Sequence, residues 1–118
     1  MTQTLIELVK TYVAAWNETD RDRRMSLLAK AWADDGVYED ANIKVVGRTE
    51  LSNYIGAFQQ KTDNAKLSLI GAPLTHHDYV FFSWKMVIGS QGASTEQTGY
   101  DFGTLDKKGM FVRIVGFL

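Results

Sequence analysis

The spacing of apolar residues changes once along this chain, at Lys66. Before Lys66 they recur at helical intervals. From Lys66 onward they alternate every second residue, as strands require. Helices first and long alternating strands after them predict an α+β domain. The helices should pack on one face of a curved, mainly antiparallel sheet. The whole chain, 1–118, reads as one domain, with a single proline and no low-complexity linker.

Thr4-Leu5-Ile6-Glu7 fits a capping box, and Leu5, Val9, Tyr12, Val13 and Trp16 then mark one helical face. Asn17 and Thr19-Asp20 break this pattern, and Thr19 with Asp22 offers a second capping box. A second helix carries Met25, Leu28, Ala31 and Trp32 on one side. Asp34-Asp35-Gly36 should end it, with Gly36 as a left-handed stop. Val37–Asp40 predicts a short strand, Ala41-Asn42 a turn, and Ile43–Val46 a second short strand punctuated by Gly47. Leu51, Tyr54, Ile55 and Phe58 mark a third helix that fades at Gln59-Gln60-Lys61.

The strand half begins with Lys66–Ile70. In Tyr79–Ile88, Val80, Phe82, Trp84, Met86 and Ile88 point one way and Tyr79, Phe81, Ser83, Lys85 and Val87 the other. A turn at Gln91-Gly92 leads to Thr95–Leu105, a hairpin turn at Asp106–Gly109, and a last strand at Met110–Leu118. Both faces of the long strands are partly apolar. One face needs the helices; the other needs a second sheet or a second subunit, so a homodimer through the outer sheet face is expected.

Net charge is -1, with no long basic run. That argues against a nucleic-acid partner. Arg21, Arg23 and Arg24 alternate with Asp20 and Asp22 and read as a solvated helix start, or as a site for phosphate or an acidic partner. The absence of cysteine removes disulfides and thiol chemistry. No apolar run suggests a membrane span, and the polar start lacks a signal-peptide layout, so a cytoplasmic location is expected. Six Phe, five Tyr and three Trp in so short a chain favour a core or cavity with large walls.

Asp101 lies mid-strand between Tyr100 and Phe102, with Gly99 and Gly103 as same-face neighbours. Two missing side chains beside one carboxyl leave space for a ligand, and desolvation there should raise its pKa. The other reading of Asp101 is an acid hydrogen-bonded within the fold or simply wet. Taken alone, Tyr12 reads as a core tyrosine whose hydroxyl needs a partner, and Asp40 as a turn or cap residue. His76-His77 sit near a predicted strand end and read as a polar turn. Adjacent histidines on a strand point to opposite sides, which disfavours joint metal binding, and no metal site is expected.

Several segments together carry a family resemblance. They are Tyr12–Asn17, Trp32–Asp40, Val46-Gly47-Arg48, Gly99–Phe102 and Gly109–Phe117. On these the chain resembles the nuclear transport factor 2-like superfamily, and within it the SnoaL-like proteins and the ketosteroid isomerases. The resemblance implies a cone-shaped, cystatin-like fold with a pocket. In the isomerases it resembles, the helix-1 tyrosine falls at Tyr12, the general base at Asp40 and the oxyanion-hole acid at Asp101. The implied chemistry is proton abstraction next to a carbonyl: Asp40 takes the proton, while Tyr12 and a protonated Asp101 hold the enolate oxygen. Related polyketide cyclases use an acid near Asp101 for ring closure. No cofactor is needed for either reaction.

Three departures stand out. Ala41 follows Asp40 where the isomerases have proline. Gly99 stands where limonene epoxide hydrolases have arginine, which speaks against that activity. The sequence ends directly after the last predicted strand, so no closing tail is expected. The resulting expectation is an isomerase or cyclase acting on an apolar carbonyl compound in a pocket lined by Trp16, Trp32, Tyr54, Phe58, Phe82 and Trp84. The alternatives are a non-catalytic binder of an apolar ligand in the same cavity, and a dimeric interaction module.

Overall fold

A computed structural model describes residues 3–89 and 94–118; the turn expected at Gln91-Gly92 lies outside them. Three helices, α1 (Leu5–Asn17), α2 (Arg21–Ala31) and α3 (Arg48–Lys61), pack on a six-stranded sheet. The strands are β1 (Trp32–Glu39), β2 (Lys44–Val46), β3 (Lys66–His76), β4 (Tyr79–Ile88), β5 (Thr95–Leu105) and β6 (Phe111–Phe117). Their order across the sheet is β2-β1-β6-β5-β4-β3. All pairs are antiparallel except β1 with β6. The α+β reading therefore holds.

The capping box at Thr4 and Glu7 is formed reciprocally, with Glu7 N–H donating to Thr4 Oγ1 at 3.2 Å and Thr4 N–H to Glu7 Oε1 at 2.8 Å. The second expected box is not. Asp20 rather than Thr19 caps α2, accepting from Arg23 N at 2.9 Å. A carboxylate makes the stronger acceptor at the positive end of a helix. Arg24 is also not solvated. It is buried, and its Nε donates to Ser52 Oγ at 2.9 Å while Nη1 donates to the Glu18 carbonyl at 2.8 Å. It ties the start of α2 to α3.

The second helix stops at Ala31, earlier than its apolar pattern suggests. Trp32 is already in β1 and fully buried. Gly36 is not a left-handed stop. It lies within the strand, and a Cβ there would meet Trp32 Nε1 at 2.5 Å. Its missing side chain makes room for the indole. β3 runs on to His76, past the expected end at Ile70, because a register shift between Ile70 and Leu74 carries the strand through a break in its alternation. Gly71 sits there with φ +64°.

The two faces of β4 separate as expected. Val80, Phe82 and Met86 are buried under the helices, while Tyr79 and Phe81 are exposed. The core joins α1 (Val9, Tyr12) to α3 (Leu51, Ile55) and to the sheet (Phe111, Ile114). Polar side chains stitch the layers. The Asn17 amide pairs with the β3 backbone like a strand neighbour, donating to the Leu67 carbonyl and accepting from Leu67 N, both at 2.8 Å. Gln59 donates to the Trp16 and Glu18 carbonyls at 3.0 and 2.9 Å, satisfying the orphaned end of α1. Among the described residues, no helix is long and apolar enough to cross a membrane.

Candidate active site

Between the helices and the end of the sheet lies a cavity of about 590 Å³. Its aromatic wall comes from Trp16 of α1, Tyr38 of β1, Tyr54 and Phe58 of α3, and Trp84 of β4. Leu67, Met86 and Val115 add aliphatic surface, and Asp40, Asn42 and Phe117 stand on its lining at the edge. The rings brace one another: Trp16 lies 5.4 Å from Tyr38, 6.0 Å from Tyr54 and 5.5 Å from Phe58 between centroids.

Asp40 follows the last residue of β1 and opens the turn into β2. Its Oδ1 accepts from Asn42 N at 2.8 Å and Ile43 N at 3.2 Å, fixing the turn. Its Oδ2 accepts from the hydroxyls of Tyr38 at 2.9 Å and Tyr54 at 3.0 Å. The turn reading of this residue and the site reading are thus both true, one for each oxygen. Burial first, and then the adjacent Asp40 carboxylate, push the Tyr54 phenol up to about 12. Tyr38 is raised well above the ordinary tyrosine value, mainly by burial. Both phenols therefore stay protonated and remain donors at neutral pH.

Asp101 is 5 % exposed. Burial pushes its carboxyl up to about 7; the Trp84 side chain pulls the other way, and the Asp40 charge adds to the rise. The space expected beside it is filled, however. A Cβ at Gly99 would meet Trp84 Cζ2 at 2.1 Å, and one at Gly103 would meet Phe111 Cε1 at 2.9 Å. The two glycines admit the protein's own rings, not a ligand. A different glycine brings Asp101 up to the cavity. Gly116 lies on the cavity wall, paired with Asp101 across β5 and β6. A Cβ there would sit 3.2 Å from Asp101 Oδ1, 3.3 Å from the Tyr38 hydroxyl and 3.7 Å from Asp40 Cβ. Asp101, Tyr38 and Asp40 thus converge on Gly116; Tyr38 and Asp40 line the cavity, while Asp101 does not and lies against Gly116 behind the wall.

Tyr12 lies deeper. Its ring stacks on Trp32 at 5.6 Å and 17°, it is 1 % exposed, and its hydroxyl has no hydrogen-bond partner among the described residues. Burial, then the charge of Asp101, raises its pKa well above the usual value. Tyr12 is not on the cavity wall. Of the six expected pocket residues, Trp16, Tyr54, Phe58 and Trp84 line the cavity. Trp32 and Phe82 do not; both are packed into the core, against Tyr12. Tyr38 and Gly116 were not foreseen. Tyr38 carried a signal, because a residue two before Asp40 shares its strand face. Gly116 becomes visible only through the pairing register.

His76 and His77 depart from the strand rule. His77 takes φ +53°, which turns its ring back, and the two Nδ1 atoms lie 2.9 Å apart. No third ligating side chain joins them among the described residues.

Comparison with known proteins bears on the family and the fold. The model of the SnoaL-like domain matches residues 9–114. No curated protein matches the chain. A protein of Agrobacterium tumefaciens, described as a proposed isomerase of the SnoaL-like family, is similar at 35% identity and TM-score 0.87, over 100% of this chain and 98% of that one. A protein of Catenulispora acidiphila with a ketosteroid isomerase-like fold, solved in complex with trimethylamine, is 17% identical at TM-score 0.79, over 98% and 87%. A proposed SnoaL-like polyketide cyclase from Jannaschia is 11% identical at TM-score 0.72, over 99% and 90%. These last two share the fold. With nearly its whole length matched by the domain model, the chain belongs to the SnoaL-like family.

Proposed function

We propose that this protein is a small-molecule enzyme of the isomerase or cyclase kind, acting on a carbonyl compound by proton transfer in the cavity. One observation carries the reading: Asp101, Tyr38 and Asp40 meet around Gly116, which lies on the cavity wall. Asp40 takes a proton from the carbon next to the carbonyl. Asp101, neutral below its raised pKa, donates a hydrogen bond to the oxygen on which charge develops. Tyr38 and Tyr54 hold Asp40 in position. Tyr12 has no direct part in this reading, because it lies in the core and its hydroxyl makes no hydrogen bond among the described residues.

The test is isomerisation of a β,γ-unsaturated ketone. Asp40→Asn and Asp101→Asn should each lower the rate by about 10²–10⁴-fold. Because Asp101 must be protonated to donate, kcat/KM should also fall as the pH rises through about 7. Wild-type rates in both variants reject the proton-transfer reading.

A second reading takes the cavity as a binding site without chemistry. In its favour, both oxygens of Asp40 are already engaged by four donors. It requires ligand-dependent stabilisation that survives Asp101→Asn, with no turnover. We also propose that a second copy of the chain covers the outer sheet face, where Leu74, Tyr79, Phe81 and Tyr100 are exposed.

A further inference from the structure

We infer that the cavity receives an organic cation: a tertiary or quaternary ammonium group on an apolar body. The inference names the charge of the molecule in the proposed site. It rests on the same cavity, and its binding can be measured without turnover.

The wall is chemically one-sided. Among the described residues its acidic side chains are Asp40 and Glu39, and no lysine, arginine or histidine lines it. Glu39 is neutralised by its ion pair with Arg113. Asp40 is not neutralised in this way. Its donors are two phenols and two backbone amides, all uncharged. They orient the carboxylate and solvate it without cancelling its charge. A partly buried carboxylate beside an empty apolar space, with no cation of its own, leaves a place for one to be supplied.

Around that charge stand aromatic rings. Trp16, Tyr38, Tyr54 and Phe58 form one braced cluster, and Trp84 joins the wall. Such rings attract cations through their quadrupoles, most strongly where water is excluded. Tyr38 and Tyr54 each donate their hydroxyl proton toward Asp40. That polarises the phenol and enriches the ring in electrons, which strengthens its pull on a cation.

The same surroundings reject a metal ion. A hard divalent ion needs some six oxygen ligands. Among the described residues, no three acidic or histidine side chains converge to hold one. A weakly hydrated ammonium group gives up its water more readily and is content with ring faces and one carboxylate. At about 590 Å³ the cavity exceeds such a head group alone. Leu67, Met86 and Val115 offer the apolar remainder its place.

The experiment compares two probes of one shape on the full chain: choline and its uncharged carbon isostere 3,3-dimethyl-1-butanol. Binding is read by calorimetry and by tryptophan fluorescence. Choline should bind at least about tenfold more tightly than the isostere. Asp40→Asn should cut that preference several-fold, leaving the part that the rings supply. Phe58→Leu, which keeps the charge and removes one half-buried ring, should weaken choline several-fold and leave the isostere unchanged. Equal binding of the two probes, a preference for the neutral one, or no saturable choline binding overturns the inference. Ketone turnover without charge preference removes the cation site and leaves the proton-transfer reading standing. Charge preference without turnover does the reverse.

Discussion

Asp101 is a carboxyl group whose protonation favours the folded state. Its pKa rises from an ordinary 3.8 to about 7 because it is buried. Between those values the folded chain holds a proton that the unfolded chain releases. Stability therefore falls as the pH rises through that window and levels off above it. The groups that face Asp101 are Tyr12 from α1, Tyr38 and Asp40 from the β1 end, and Trp84 from β4. None supplies a positive charge to offset ionisation. Asp101→Asn removes the titration. Measured by urea denaturation, the variant should gain stability relative to wild type between about pH 5 and about pH 8, by on the order of a few kcal/mol. A variant that tracks wild type at both pH values shows the carboxyl to be wet. Gly116→Ala tests the same spot from the other side. The new methyl would sit 3.2 Å from Asp101 Oδ1 and 3.3 Å from the Tyr38 hydroxyl. Its backbone φ is not in the left-handed region, so the fold should tolerate it. Turnover should fall by about tenfold or more as the methyl screens Asp101 from substrate. Unchanged kcat/KM, with the fold intact by circular dichroism, shows that substrate does not reach Asp101 there.

Single elements place these residues. β5 carries Asp101 between two glycines because the rings of Trp84 and Phe111 need that space. Gly99→Ala would put a methyl 2.1 Å from Trp84 Cζ2 and force the indole off the sheet. The expected cost is about 1–3 kcal/mol, read as a lower urea midpoint together with a shifted tryptophan emission. An unchanged midpoint and spectrum would mean that the indole does not lie against Gly99. The same element shows what sequence reasoning could and could not reach. Alternation placed Asp101 on one face with Gly99 and Gly103 but left open whether that face is dry or wet; in the fold all three are buried. What fills the gap beside a glycine depends on the neighbouring strand, and the register of β4 against β5 is not written in either one alone. The end of α2 was hidden for another reason. Trp32 suits the last turn of an apolar helix face as well as the first position of a buried strand, so periodicity could not divide them. β3 looked short because its bulge breaks the alternation at Gly71. Arg24 looked solvated because charge alternation does not reveal that Ser52 and Gln59 of α3 and the Glu18 carbonyl stand ready to accept from it. Helices α1 and α3 and the long strands were readable because one face of each is continuously apolar over several turns or pleats.

At the scale of the whole molecule, the sheet has two faces and the helices cover only one. On the other, Phe81 stacks on Tyr100 at 5.9 Å and 10°, and Tyr79 lies 5.6 Å from Phe102. Leu74 is 69 % exposed nearby. A contiguous aromatic surface of this kind is costly to leave in water and is usually met by another chain. The face is a row of paired strands, so a second copy can pack on it face to face about a two-fold axis and bury the same residues on both sides. The cavity lining reaches the edge of this face at Val115 and Phe117, which pair with Phe102 and Tyr100; Phe81 is not on that lining. Light scattering should therefore give twice the chain mass at micromolar concentration. Phe81→Lys places a charge at the centre of the stacked pair and should weaken association by about a hundredfold or more, shifting the protein to the single-chain mass. Because Phe81 points away from the core, the variant should fold, and its ketone turnover per chain should stay near wild type. A wild-type protein of single-chain mass removes the dimer. A Phe81→Lys protein that stays paired moves the contact elsewhere. Loss of turnover together with pairing would mean that the second copy holds β4, and with it Trp84, in place.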